Sequence, residues 1–146
     1  MEQMVSASNT SVLLEDEVSL PCVFESIGVV STCLDKWLAG DKVSPVLQND
    51  IHVCLDEIIC NLVDYSQAKE IRIKFVMTDN EICITILDDG MPFDPLAKND
   101  QTKDTEIDFQ VQIGGLGIMM VREMTKDMLY QYENGQNNLG LYFNIA

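Results

Sequence analysis

Apolar side chains at Leu47, Ile51, Cys54, Leu55, Ile58 and Leu62 return every three or four residues, the spacing of one face of an α-helix. Ser44 followed by Pro45 marks its start, because a serine hydroxyl caps orphan amides and proline has no amide to lose in a first turn. This pattern predicts a helix from Pro45 to about Tyr65. A second helix is predicted from Ser26, with Ile27, Val30, Leu34, Trp37 and Leu38 on one side and Gly40 at its stop.

Elsewhere the period falls to two. "EIRIKFVM" and "EICITILDD" alternate strictly, so Ile71, Ile73 and Phe75 share one face, as do Ile82, Ile84 and Ile86. The short "TDN" between them is a hairpin signal. "MLYQYENGQNNLGLYFNIA" holds two more alternating runs about an Asn-Gly pair, a strong hairpin cue. "EVSLPCVF", from Glu17, alternates until Pro21 interferes, which suits a strand at a sheet edge, and "SVLL" before it can extend the pairing. Residues 91 to 113 carry no period and read as a long lid or binding segment. A third helix is expected from Leu116 to about Lys126.

The order is strand, two helices, two strands, lid, helix, two strands, without an internal repeat. Hairpins dominate the strand connections, so the expected fold is α+β, a two-layer sandwich with a mostly antiparallel sheet and helices on one face. A chain of 146 residues suffices for one core. The expected division is a loose stretch over residues 1–10 and a single domain over 11–146.

Charge narrows the possible partners. Nine Lys and Arg stand against 24 Asp and Glu, a formal net charge of −15, which disfavours nonspecific binding to nucleic acid or an anionic membrane. No apolar run reaches the ~20 residues of a membrane span, and "MEQMVSASNT" lacks a signal peptide's basic start and apolar middle, so a cytoplasmic location is expected. The five cysteines form no C-x-x-C pair and sit among apolar neighbours, so they are read as reduced core residues.

Glu57 and Asn61 lie four residues apart on the second helix and therefore share a face. Alone they are a solvated polar stripe. Two later segments change that reading. "LDDGMPFDP" ends a strand with an Asp-x-Gly-x-Pro turn, and "IGGLGIMMVRE" places Gly114, Gly115 and Gly117 at a helix start, where free amides favour an anion. Those glycines follow polar lid rather than a strand and make no full G-x-G-x-x-G, which excludes a Rossmann site; no P-loop G-K-[ST] occurs either.

The ordered set, E-x-x-x-N on a helix, D-x-G-x-P after a strand, and GGLGI-x-x-V-R opening a helix, resembles the nucleotide site of the GHKL ATPase superfamily, whose fold is the Bergerat type. "PFDP" adds a likeness to its small branch of anti-sigma-factor serine kinases, and the resemblance runs from Glu17 onward. It implies ATP and Mg²⁺ as cofactors, with Asn61 as metal ligand and Glu57 as general base. It implies Asp88, rather than Asp89, as acceptor from the adenine amino group beside Gly90, and Gly114, Gly115 and Gly117 around the phosphates.

Where several relatives carry a base-side threonine on the last strand, this chain has Asn137 and Asn138, and Asn138 is assigned to the nucleotide. Lys98 and Lys103 ride on the lid and Arg122 on the third helix, their ordinary reading being surface cations. His52 reads as a packing residue, and Met119, Met120, Met124 and Met128 as a mainly core cluster.

The activity implied by the resemblance is that of an anti-sigma regulatory factor. Such a factor phosphorylates a serine of a STAS-type anti-anti-sigma antagonist and sequesters a sigma factor, as a cytoplasmic homodimer without direct contact to nucleic acid or membrane. The alternative is a nucleotide-sensing binding module of the same fold without kinase activity. A histidine-kinase catalytic domain would need a helical hairpin with its own histidine ahead of the first strand, which is not expected in the residues before Glu17.

Overall fold

The computed structural model describes residues 11–95 and 117–145. Five strands form one antiparallel sheet: β1 (Val12–Pro21), β2 (Glu70–Thr78), β3 (Glu81–Asp88), β4 (Asp127–Glu133) and β5 (Gln136–Asn144), in the order β1-β2-β3-β5-β4. Helix α1 (Glu25–Trp37) and helix α2 (Pro45–Asn61) lie between β1 and β2, and helix α3, described over residues 117–124, precedes β4. This is the α+β sandwich that the patterning predicts.

Alternation decides which sheet face meets the helices. Ile71, Ile73 and Phe75 on β2, Ile82, Ile84 and Ile86 on β3, and Leu139, Leu141 and Phe143 on β5 all bury their side chains in one cluster. Val30, Leu34 and Trp37 from α1, Ile51, Leu55, Ile58 and Ile59 from α2, and Ile118 and Val121 from α3 fill the other side of that cluster. Trp37 stacks on Phe75 with ring centroids 5.0 Å apart, joining the two layers, while its indole N–H donates to Asp16 at 2.8 Å. That bond holds the Asp16 carboxyl below the usual range.

Several boundaries differ from the sequence reading, each for a local reason. β1 begins at Val12, so "SVLL" belongs to the same strand, and it ends at Pro21, whose missing N–H is tolerable on an edge. Helix α1 stops at Trp37, three residues before the predicted glycine. Helix α2 starts as expected, with Ser44 Oγ accepting from the Leu47 amide at 3.1 Å, but its α-helical part closes at Asn61. A π-helical turn, Leu62–Ser66, follows. The last hairpin turns at Asn134 and Gly135, both with positive φ, as the Asn-Gly pair predicts.

The methionines divide: Met128 is buried and Met124 half-buried, whereas Met119 and Met120 are exposed, because one side of α3 faces solvent. All five cysteines are free, but only Cys54 is fully buried, and burial pushes its thiol up to about 12. His52 packs between α1 and α2, 3.1 Å from Asp35 and 3.4 Å from the Ser31 hydroxyl. No helix among the described residues is long and apolar enough to cross a membrane.

Candidate functional site

The site forms where five elements converge at one end of the sheet. Ile58, Asn61 and Leu62 come from α2 and its π turn, Ile86 and Asp88 from β3, and Ile118 from α3. Tyr130 on β4 and Asn137 and Leu139 on β5 close the floor, with Phe93 and Pro95 at the mouth. Together they line an open cleft whose empty space of about 400 Å³ is continuous with solvent. Its walls are largely apolar, and its polar groups are few and convergent.

Asn61 stands at the junction of α-helix and π turn and lines the cavity. Single π turns are frequent at functional sites. One turn earlier, Glu57 lies against Gly117: a Cβ placed on that glycine would stand 1.9 Å from Glu57 Oε1. A side chain there would push the flexible Glu57 carboxylate out of its present place. Asn61 lines the cavity; Glu57 is not among its lining residues, but the glycine it touches immediately precedes the lining residue Ile118.

The turn after β3 is held equally closely. A Cβ on Gly90 would meet the Ser66 carbonyl oxygen at 2.5 Å, and the adjacent Met91 amide donates to that same oxygen at 2.9 Å. The backbone cannot retreat without losing this bond. Gly90→Ala is therefore expected to destabilise the domain by about 2 kcal/mol, measured as a lower midpoint in denaturant unfolding with an unchanged slope.

The two neighbouring aspartates have separate tasks. Asp89 is exposed and accepts from the Lys69 and Glu70 amides at 2.8 and 3.1 Å, which lowers its carboxyl below the usual range and ties the turn to the start of β2. Asp88 is buried in the cavity, and burial raises its carboxyl against the opposing effect of two hydrogen bonds. Both bonds, from Gly90 N at 2.8 Å and Asn137 Nδ2 at 3.0 Å, fall on Oδ1.

A raised folded-state value means that ionised Asp88 costs stability. The proton is held more tightly in the folded state, so this group's contribution is fully present below the usual carboxylate range and is lost as pH rises through the raised value. Asp88→Asn is expected to leave the fold at neutral pH as stable as the wild type or more so. It is also expected to weaken ATP binding roughly ten- to hundredfold, as an amide replaces a charged acceptor. Thermal unfolding and calorimetry read the two effects separately.

Among the other residues assigned from sequence, the cavity takes Asn137 and not Asn138. Successive side chains on a strand point to opposite faces, and Leu139, Leu141 and Phe143 face the core, so Asn137 shares their side and Asn138 points away. Gly114, Gly115, Lys98 and Lys103 lie outside the described residues, and Arg122 is exposed on α3. Tyr130 is not singled out by the sequence, though it is legible as part of an alternating run, and Phe93 enters only within "PFDP", with no periodic signal and no role assigned.

A family description, the histidine kinase-like ATPase domain, matches residues 23–143. The chain belongs to the histidine kinase-like ATPase domain family. Membership accounts for a cavity bordered by an asparagine, a buried aspartate and glycine turns, since an ATPase domain of this family is an ATP-binding unit.

The domain is 28% identical over 88 residues to the sensor histidine kinase DesK of Bacillus subtilis, covering 59% of this chain and 23% of DesK. It is 27% identical over 105 residues to the serine/threonine-protein kinase BtrW of Bordetella bronchiseptica, covering 69% of this chain and 73% of BtrW.

Two solved structures share its fold. The RsbU and RsbW domains of Rv1364c from Mycobacterium tuberculosis align with a TM-score of 0.62 at 14% identity, over 89% of this chain and 32% of that one. A chain of the SiaB–SiaC complex from Pseudomonas aeruginosa aligns with a TM-score of 0.54 at 13% identity, over 98% of this chain and 96% of that one. The domain therefore spans under a quarter of DesK and about a third of the Rv1364c chain.

Mg²⁺ prefers oxygen donors and keeps several waters beside a phosphate chain, so the protein need supply few ligands when a nucleotide supplies the rest. Asn61 offers a carboxamide oxygen, and the space kept open at Gly117 lets backbone and Glu57 approach one another. The donor set fits magnesium held jointly with a nucleotide.

Proposed function

We propose that this domain is an ATP-dependent protein serine/threonine kinase of the partner-switching type. It binds Mg-ATP, phosphorylates a serine on a small STAS-type anti-anti-sigma antagonist, and sequesters a sigma factor. It acts as a cytoplasmic homodimer. One juxtaposition carries the reading: Asn61 lines the cavity, and Glu57, one helical turn earlier, lies against Gly117, the residue just before the lining Ile118. The similarity to BtrW over most of both chains and the shared fold with an RsbW domain support it.

Each residue has a separate task. Asp88 accepts from the adenine amino group through Oδ2, the oxygen that Gly90 and Asn137 leave to the cavity. Gly114, Gly115 and Gly117 offer backbone amides to the phosphates, and Asn61 holds the metal. Magnesium, when bound, neutralises phosphate charge that a domain of net charge −15 cannot offset with its own side chains. Glu57 takes the proton from the attacking serine hydroxyl as its oxygen bonds to the γ-phosphorus and the bond to ADP breaks.

The test is incubation with γ-labelled ATP and a STAS-domain antagonist, followed by identification of the labelled residue. Label on a serine of the antagonist is expected. Absence of transfer while ATP is demonstrably bound would defeat the kinase reading and leave a nucleotide-sensing module.

A further inference from the structure

Asn137 is an unusual side chain to find among the apolar residues of β5, only 4% exposed and directly opposite Asp88 in the sheet register. A carboxamide has two N–H donors and two acceptor positions. All four are engaged. Nδ2 donates to Asp88 Oδ1 at 3.0 Å and to the Met91 carbonyl at 2.9 Å; Oδ1 accepts from the Phe93 amide at 3.1 Å and from the Tyr130 hydroxyl. The partners also fix the orientation of the amide, because Asp88 and Met91 offer only acceptors and the Phe93 amide only a donor. Tyr130 closes the network, receiving a second bond from the Phe93 amide at 3.2 Å.

Two consequences follow. Asn137 has no donor or acceptor left for a nucleobase, so any influence on the base passes through Asp88. By occupying Oδ1 together with the Gly90 amide, it leaves Oδ2 as the oxygen of this cavity-lining carboxylate that takes no hydrogen bond from the protein, and by binding Met91 and Phe93 it fastens the segment that reaches the cavity at Phe93.

The geometry points to Asn137, braced by Tyr130, as the positioning residue that sets purine selectivity: it holds Asp88 as a one-oxygen acceptor for a 6-amino purine and against a 6-oxo purine. This rests on the nucleotide reading given above. An acceptor facing the 6-oxo group of guanine meets another acceptor, so a fixed Asp88 discriminates. An Asp88 free to rotate or to take up water discriminates less.

The experiment measures Mg-ATP and Mg-GTP affinities by calorimetry for wild type, Asn137→Ala, Tyr130→Phe and Asn137→Asp. Asn137→Ala is expected to lose at least tenfold in ATP affinity with little change for GTP, so that the ATP/GTP ratio falls. Tyr130→Phe, which keeps the donor to Asp88, is expected to lower the ratio by a smaller factor.

Asn137→Asp places a second carboxylate against Asp88, and two such groups in hydrogen-bond contact cannot both ionise. A shared proton restores the missing donor. Its ATP affinity relative to wild type is therefore expected to rise as pH falls from 8 to 5. Should Asn137→Ala fail to fold, this pH profile decides alone.

A folded Asn137→Ala with the wild-type ATP/GTP ratio, or a flat relative profile for Asn137→Asp, overturns this inference and leaves the nucleotide reading intact. A wild-type chain that binds neither nucleotide overturns both.

Discussion

Glu57→Gln is expected to slow phosphoryl transfer roughly 10²- to 10⁴-fold, the usual worth of a general base, while Mg-ATP affinity stays within about threefold of wild type. The substitution preserves size, and size is what the contact demands: the side-chain end sits against Gly117 with no space for one further carbon. Glutamine can still fill that contact but cannot accept the serine proton. The expected signature is a fall in transfer rate without a fall in binding, read by single-turnover transfer beside calorimetry. Equal loss of both would assign Glu57 to the structure of the α2–α3 corner instead of to the chemistry.

Asn61→Ala reverses that signature. On the proposed reading, removing the carboxamide deletes the protein's oxygen donor to the metal, and with a net charge of −15 the chain has few cations to hold a triphosphate. Mg-ATP affinity is expected to fall at least a hundredfold, about 2.7 kcal/mol, with the remaining binding no longer dependent on magnesium. The fold should tolerate the change, since Asn61 is only half-buried and alanine is a good helix former. An alanine variant that binds ATP with unchanged magnesium dependence would remove Asn61 from the metal site.

The contrast between these variants reflects how the corner is built. α2 places two polar groups one turn apart, and the π turn after Asn61 swings the chain toward Ser66, against which Gly90 packs. The turn carrying Asp88 is thereby fastened to the helix carrying Asn61. Gly117 fastens α3 to the same helix through Glu57.

Much of this was legible because alternation and helical spacing are strong in this chain. The strands about Ile73, Ile84 and Leu141 follow from period two, and the capping serine and proline at the start of α2 appear in the structure as read. The ordered motifs located Asn61 and Asp88, which now line one cavity.

What escaped has physical causes. A π turn has no residue signature, since it arises from how the chain after Asn61 must meet the β3 turn, a contact between residues far apart in sequence. The assignment of Asn138 left out the phase of β5; carrying the alternation back from Phe143, Leu141 and Leu139 puts Asn137 on the cavity side. The role of Gly117 could not be read from its own neighbours, because it is a matter of distance to Glu57. The exposed Met119 and Met120 show a similar limit, for helical spacing reports a stripe but not where the stripe ends.

The most direct test is to follow backbone amide resonances of the isotopically labelled wild-type chain during titration with Mg-ATP. The account predicts saturable shifts concentrated at Asn61, Asp88, Gly90, Gly117 and Asn137, abolished when magnesium is chelated or Asn61 is replaced by alanine. Shifts centred on another surface, or none at saturating nucleotide, would contradict it.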